Sequence, residues 1–328
     1  MVRVAVLDDW QNIARASADW SKLEARADVE FFSKPFANEQ EAAAALAEFD
    51  IIIAMRERTA FSASLLTRLP KLRMIALTGM RAASLDLEAC TKQGILVCNT
   101  AGGRSLIATA ELTLGLLLTA ARHIPLGDQE IRNGRFQEGL RPGIILNGLT
   151  LGIIGLGRIG TLVAGYGKGL GMRVLAWSPH LTAERAQAGG AEYADKPTLL
   201  STADAVSIHM PLSPTTRGLL GQEDLARLKP GAILINTSRG PLIDEAALLS
   251  AVQSGRIIAA LDVFDREPLP PEHPLRRAPN TVLTPHIGYN VGEVFSVFYR
   301  ESIENVLAFL DGTPIRMLNP EVQTAKPA

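Results

Sequence analysis

Two cysteines in 328 residues are too few for a disulfide framework, and Cys90 and Cys98 lack the spacing of a metal site. Both read as small apolar residues of a cytoplasmic protein. Charge of one sign is also lacking: 33 basic residues stand against 34 acidic ones, with no run of either. That balance argues against nucleic acid or an anionic membrane as a partner. The N-terminus, Met1 to Trp10, has neither a long apolar stretch nor a small-residue cleavage site, so it reads as a first strand and not a signal peptide. The most apolar stretch, Leu112 to Ala121, contains Thr113, Gly115 and Thr119 and reads as a buried helix that falls short of a membrane span. No internal repeat is visible, and no low-complexity segment beyond a Pro-containing tail.

What is present is ordinary globular composition, 47% hydrophobic and 20% charged, in a chain longer than one core usually supports. Two domains are therefore expected. Short β-branched runs alternate with helical patterns, which predicts an α/β protein of parallel βαβ units. The first strand candidates are Val2–Leu7, Asp50–Met55, Leu72–Leu77 and Ile95–Cys98, with an Ala-rich helix from about Asn38 to Glu48. A long apolar helix follows over Arg104–Arg122, then a poorly periodic stretch, Gly134–Asn147, rich in Gly and Arg.

A second series begins at Thr150. Its strand candidates are Thr150–Gly155, Arg173–Trp177, Ala205–His209, Ala232–Asn236, Ile257–Val263 and Val282–Thr284. Asp244 can N-cap a helix before Ile257, and Gly255 can follow its end. The last helix, from about Gly292 to Leu310, follows an already complete second series and so is expected to return to the first domain. The organisation read here is two doubly wound parallel-sheet domains. Residues 1–101 with 290–328 would form a discontinuous first domain, and 102–289 a second domain inserted into it, with hinges near Ala101 and Tyr289.

The segment from Thr150 to Gly160 puts G-x-G-x-x-G directly after a strand and before a helix. Gly155 allows a tight turn, Gly157 lets a pyrophosphate approach the backbone, and Gly160 allows close helix–sheet packing. The helix N-terminus adds N–H donors and positive partial charge. An acidic residue usually follows the next strand to bind the adenosine ribose of NAD. Here Ser178 occupies that position, which removes the charge that would repel a 2′-phosphate and leaves NAD against NADP open, with Arg185 further on.

Three further segments place a polar group just beyond a strand: Asn236-Thr-Ser-Arg239-Gly240, Asp262-Val-Phe-Asp-Arg-Glu267-Pro268 and Thr284-Pro-His286-Ile-Gly288. Ligands of open α/β sheets bind outside the carboxyl ends of the strands. An arginine binds a carboxylate bidentately, a histidine exchanges a proton at a reacting oxygen, and a carboxylate orients the imidazole and favours its charged form. Together these residue types suit proton exchange at an oxygen of a carboxylate-bearing substrate.

At these residues the chain resembles the D-isomer-specific 2-hydroxyacid dehydrogenase family, which includes phosphoglycerate dehydrogenase and glyoxylate/hydroxypyruvate reductase. The resemblance covers nearly the whole chain and rests on G-L-G-R-I-G, N-T-S-R-G, L-D-V-F-x-x-E-P and T-P-H-I-G occurring together. It implies a Rossmann cofactor domain inserted into a flavodoxin-like substrate domain, and hydride transfer between a nicotinamide cofactor and a small D-2-hydroxy acid or its keto acid. The catalytic set implied is Arg239, Glu267 and His286, with Arg239 on the substrate carboxylate and keto oxygen and His286 the acid/base. Cofactor contacts are implied for Gly155, Gly157, Arg158, Ile159, Gly160, Ser178, His209, Pro211, Thr237, Ser238, Arg239, Asp262, His286 and Gly288. Substrate contacts are implied for the loop of Gly79, Met80 and Arg81, which departs from the family's glycine-rich form, and for Arg239 and His286. Arg56 and Arg58 follow a strand of the same domain and are candidates to face the substrate. NAD is the family's usual cofactor, no metal is implied, and a homodimer through the cofactor domain would use the Arg104–Arg122 helix and the Gly134–Asn147 arm. Interdomain closure would exclude water from the reaction. The substrate is read as glyoxylate- or hydroxypyruvate-like. The alternatives are a phosphoglycerate dehydrogenase, with Arg56, Arg58 and Arg81 forming a basic pocket, or a non-catalytic NADH-sensing protein.

Overall fold

The computed structural model describes residues 1–80 and 83–323, and the chain divides into two compact units, Met1–Arg104 with Asn290–Ala328 and Ser105–Tyr289. In the first unit five parallel strands, β1 (Val2–Val6), β2 (Ala27–Phe31), β3 (Ile51–Ala54), β4 (Met74–Leu77) and β5 (Leu96–Asn99), lie in the order β2-β1-β3-β4-β5. β3 and β4 are the uninterrupted apolar runs Ile-Ile-Ile-Ala and Met-Ile-Ala-Leu, buried along their whole length. Such runs are what a parallel strand covered on both faces requires. β2 escapes a reading of apolar runs because its sequence, Ala-Asp-Val-Glu-Phe, is that of an edge strand with two exposed acids. The Ala-rich helix spans Glu39–Leu46, and the Asn38 side chain accepts from Glu41 N at 3.0 Å to cap it. The helix Gly292–Leu310 joins this unit and buries Phe298 and Tyr299.

The second unit holds a seven-stranded parallel sheet: β6 (Thr150–Ile154), β7 (Arg173–Trp177), β8 (Glu192–Tyr193), β9 (Ala205–Ile208), β10 (Ala232–Asn236), β11 (Ile257–Leu261) and β12 (Thr281–Leu283). Its order is β12-β11-β10-β9-β6-β7-β8. The sequence pattern accounts for six of these. β8 is only two residues long, too short to carry a period. The helix Ile124–Arg132 also carries no sequence signal strong enough to find, since its apolar positions are few and largely exposed. The chain runs outward from β6 to β8, then crosses to β9 on the other side of β6. The strand order therefore reverses between β6 and β9, and the carboxyl ends of these two strands flank a crevice.

The helix Ser105–Arg122 is long and apolar enough to cross a membrane. It lies instead in the core of this unit, with Ala110, Leu116, Leu117, Ala120 and Ala121 buried against Leu151, Ile153, Ile233 and Ile235. Each buried leucine there contributes on the order of 2 kcal/mol. Three of its polar positions, Ser105, Thr109 and Thr113, recur every four residues and so share one face.

Candidate active site

β6 ends in a turn that only glycine permits at two positions. Gly155 has φ +98°, and a Cβ there would lie 2.5 Å from the His209 carbonyl oxygen. A Cβ on Gly160 would lie 2.2 Å from the Gly155 oxygen. Gly157, by contrast, faces open space, with nothing within 4 Å of an added Cβ, and it is the N-cap of the helix Arg158–Gly169. Open space, a bare backbone and the N-terminus of a twelve-residue helix, with Arg158 and Ile159 in its first turn, fit a pyrophosphate group. Beyond β7, the Ser178 carbonyl accepts from Leu181 N at 3.1 Å, and Arg185 donates to the His180 carbonyl at 3.0 Å. Beyond β9, burial pushes the His209 imidazole down to about 3, so the ring is neutral. Ser207 Oγ lies 2.9 Å from His209 Nε2, and Nδ1 has no hydrogen-bond partner among the described residues. Pro211 closes the same turn by accepting from Thr216 Oγ1 at 2.7 Å.

β10 delivers the arginine. Asn236, its last residue, folds the following turn on itself: its Nδ2 donates to the Arg239 carbonyl at 2.8 Å and its Oδ1 accepts from Ser238 N at 3.0 Å. Ser238 Oγ donates to the Ile208 carbonyl at 2.8 Å and so ties the turn to β9. The Arg239 guanidinium donates from Nη1 to the Ser238 carbonyl at 2.6 Å. A Cβ on Gly240 would lie 2.1 Å from the Phe264 carbonyl carbon, so the glycine lets the arginine turn pack directly on the loop that follows β11.

That loop delivers the carboxylates. Glu267 Oε1 accepts from Phe264 N at 3.0 Å, and Glu267 Oε2 accepts from His286 Nδ1 at 2.5 Å. His286 follows β12 with φ +54°, a left-handed conformation rare for a residue with a Cβ. Asp262 holds that turn. Its Oδ1 accepts from Thr284 Oγ1 at 2.6 Å and Ile287 N at 2.8 Å, and its Oδ2 from Gly288 N at 2.9 Å. Burial pushes the Asp262 carboxyl above the ordinary carboxylate range, against the lowering pull of these donors and of His286. The Tyr289 ring meets the His286 ring edge-on at 6.0 Å between centroids.

In the first unit, Arg56 follows β3 with φ +45°, and its N donates to Thr78 Oγ1 at 3.2 Å. The Arg56 side chain lies over Gly79, 3.8 Å from where a Cβ would sit. Gly79 N donates to Thr100 Oγ1 at 2.7 Å, and the Met80 side chain is exposed. Arg81 lies outside the described residues. Arg58 stacks over the Trp10 ring, 4.8 Å from its centroid. Asp8, buried at the end of β1, accepts from Thr59 Oγ1 at 2.9 Å, and burial pushes its carboxyl up to about 6.

Glu267 and His286 are thus brought into direct contact, with the Arg239 turn packed on the Glu267 loop. The pattern of strand-end polar residues overlooks Thr284, which shares the Asp262 carboxylate with the turn. It also overlooks Thr109 and Thr113, whose i, i+4 spacing is the only sequence signal they carry.

The family model for the D-isomer specific 2-hydroxyacid dehydrogenase NAD binding domain matches residues 114–288. A glyoxylate reductase of Aeropyrum pernix is 42% identical over 267 residues, which cover 79% of this chain and 79% of that protein. A D-3-phosphoglycerate dehydrogenase of Archaeoglobus fulgidus is 37% identical over 265 residues, 80% of this chain and 50% of that one. The chain spans about half the length of that relative. Among solved structures, a phosphoglycerate oxidoreductase from Vibrio cholerae superposes with a TM-score of 0.90 at 34% identity, covering 95% of this chain and all of that one.

Proposed function

The chain belongs to the D-isomer-specific 2-hydroxyacid dehydrogenase family, and from that premise we propose that it interconverts a small D-2-hydroxy acid and its 2-keto acid with a nicotinamide cofactor. The observation that carries this reading is the 2.5 Å contact of Glu267 with His286, next to a turn presenting Arg239. The Gly155–Gly160 turn would hold the cofactor, whose nicotinamide would supply or accept the hydride. The chain's own residues do the rest. With His286 Nδ1 engaged by Glu267, the proton exchanged with the substrate oxygen is the one on Nε2. Arg239 would hold the substrate carboxylate and offset negative charge developing on the keto oxygen. Thr237 and Ser238 would lie toward the nicotinamide. In the first unit, Arg56 and the Gly79–Met80 turn would contact the substrate.

NAD fits the family. NADP is proposed as a second cofactor because Ser178 brings no charge to repel a 2′-phosphate, and Arg185 bonds to the same turn. The substrate proposed is glyoxylate- or hydroxypyruvate-like. The Arg56 and Arg58 pair supports a phosphorylated keto acid as the second reading. A homodimer through the second unit is proposed from the clustering of exposed apolar side chains at Ile124, Leu126, Ile131, Phe136, Ile144 and Ile145, beside a cavity of about 370 Å³ lined by Leu126, His123 and Arg141. A cytoplasmic location is proposed on its two buried free cysteines. NADH and NADPH oxidation measured with glyoxylate, hydroxypyruvate and phosphohydroxypyruvate tests the enzymatic reading. Oxidation of neither cofactor with any keto acid would overturn it in favour of an NADH sensor. A sedimentation mass of one chain would overturn the dimer.

A further inference from the structure

The helix Ser105–Arg122 carries Ser105, Thr109 and Thr113 at four-residue spacing on one face, and two of them reach different functional turns. Thr113 Oγ1 lies 2.9 Å from Thr237 Oγ1, both side chains being buried. Thr113 also donates to the Thr109 carbonyl one turn earlier, at 2.9 Å. A hydroxyl has one proton, so with Thr113 donating along its helix, Thr237 is the donor between the two hydroxyls. Thr237 lies two residues before Arg239. Thr109 Oγ1 lies 3.1 Å from the Gly288 carbonyl and 2.8 Å from the Ser105 carbonyl, and its single proton is shared between them. Gly288 lies two residues after His286. A Cβ on Gly288 would sit 3.2 Å from Thr109 Oγ1 and 3.3 Å from Asp262 Oδ2, so helix and carboxylate grip the glycine from two sides.

The arginine turn follows β10 and the histidine turn follows β12, two strands that are separated in the sheet by β11. A helix is stiff between Thr109 and Thr113, which are one turn apart, about 6 Å. Two turns hung from neighbouring hydroxyls of one helix are held at a fixed separation. We infer that Thr109 and Thr113 are positioning residues, Thr109 for the His286 turn and Thr113 for the Arg239 turn, which together set the spacing of the proton donor and the carboxylate-binding arginine. The inference rests on the roles proposed above for His286 and Arg239.

The two threonines differ in what their loss should change, and that difference is the test. Thr109→Val, Thr113→Val and the matching serine variants would be assayed with NADH and the best keto acid over pH 5–10, beside hydrogen exchange of peptides covering 236–240 and 284–289. Thr113→Val should raise the keto-acid KM by about three- to tenfold, the scale of one buried hydrogen bond, with a smaller loss of kcat because Arg239 serves both. It should speed exchange in 236–240 and leave the pH profile in place. Thr109→Val should lower kcat by a similar factor, displace the pH profile and speed exchange in 284–289, with KM nearly unchanged. Thr109→Ser and Thr113→Ser keep the hydroxyl and should restore each parameter to within about twofold of wild type. The inference is overturned if the valine variants act alike on kcat and KM, if neither perturbs its own turn, or if serine fails to restore. Should a valine variant not fold, the serine variant and its exchange pattern still decide: wild-type kinetics with a protected turn support the role, and loss despite a retained hydroxyl overturns it. A wild-type protein inert toward every keto acid would overturn the catalytic reading, and the inference with it, an outcome distinct from altered kinetics in the variants alone.

Discussion

Glu267 accepts a 2.5 Å hydrogen bond from the Nδ1 of His286, a histidine whose backbone is held left-handed by the Asp262 carboxylate at its neighbours Thr284, Ile287 and Gly288. Orientation of the ring is therefore set twice, from the side chain by one carboxylate and from the main chain by another. The glutamate contact makes a clear prediction. Glu267→Gln keeps the shape but removes the charge opposite the imidazolium, so keto-acid reduction should fall by about one to two orders of magnitude. Turnover equal to wild type would contradict the pairing.

Removing the imidazole should cost more. His286→Ala is expected to lower kcat by about two to four orders of magnitude, the usual scale for a positioned acid/base. Because φ at this residue is +54°, alanine is also strained there by about 1 kcal/mol, whereas His286→Asn tolerates the conformation. Kinetics should fail in both variants while thermal stability drops more in alanine. Near-normal turnover in either would remove His286 from the chemistry.

Arg239→Ala should raise the keto-acid KM and lower kcat together, since the guanidinium is assigned both to the ground-state carboxylate and to charge that develops later. Cofactor affinity, measured by fluorescence titration with NADH, should change little. An unchanged KM and kcat would refute the assignment.

Asp8 gives a stability prediction with a defined sign. Its carboxyl is raised from 3.8 to about 6, so the folded state holds the proton more tightly than the unfolded chain. Stability from this group is complete below pH 4 and is lost as pH rises through about 6. Asp8→Asn keeps an oxygen to accept from Thr59 and removes the buried charge. It should therefore stabilise the protein by about 1–2 kcal/mol at pH 7.5 and have little effect at pH 4. Denaturant titrations of both proteins at the two pH values decide; a variant less stable at pH 7.5 would show that the Arg58 attraction outweighs burial.

Ser178→Asp places a carboxylate where the adenosine ribose is expected. NADPH should lose at least about tenfold in kcat/KM relative to NADH, from like-charge repulsion with the 2′-phosphate. No change in the cofactor ratio would move the adenosine site away from Ser178.

The sequence by itself determined the α/β class, ten of the twelve strands among the described residues and the strand-end placement of Arg239, Glu267 and His286. The reason is local: continuous β-branched runs such as Ile51–Ala54 suit strands covered on both faces, and G-x-G-x-x-G encodes steric demands that are met within a few residues. β2 and β8 were illegible because one alternates with exposed acids and the other has two residues. Tertiary structure alone decided which of the polar side chains do what. Asp262 enters from the family resemblance as one more cofactor contact, and folding turns both its oxygens onto the 284–288 turn. Thr113 reads as a polar interruption in an apolar stretch, and Thr109 carries no reading at all. They gained meaning only when Thr237, 124 residues away from Thr113, and Gly288, 179 away from Thr109, were brought to their hydroxyls. A hydrogen bond depends on where both partners end up in space, and chain spacing carries no record of that.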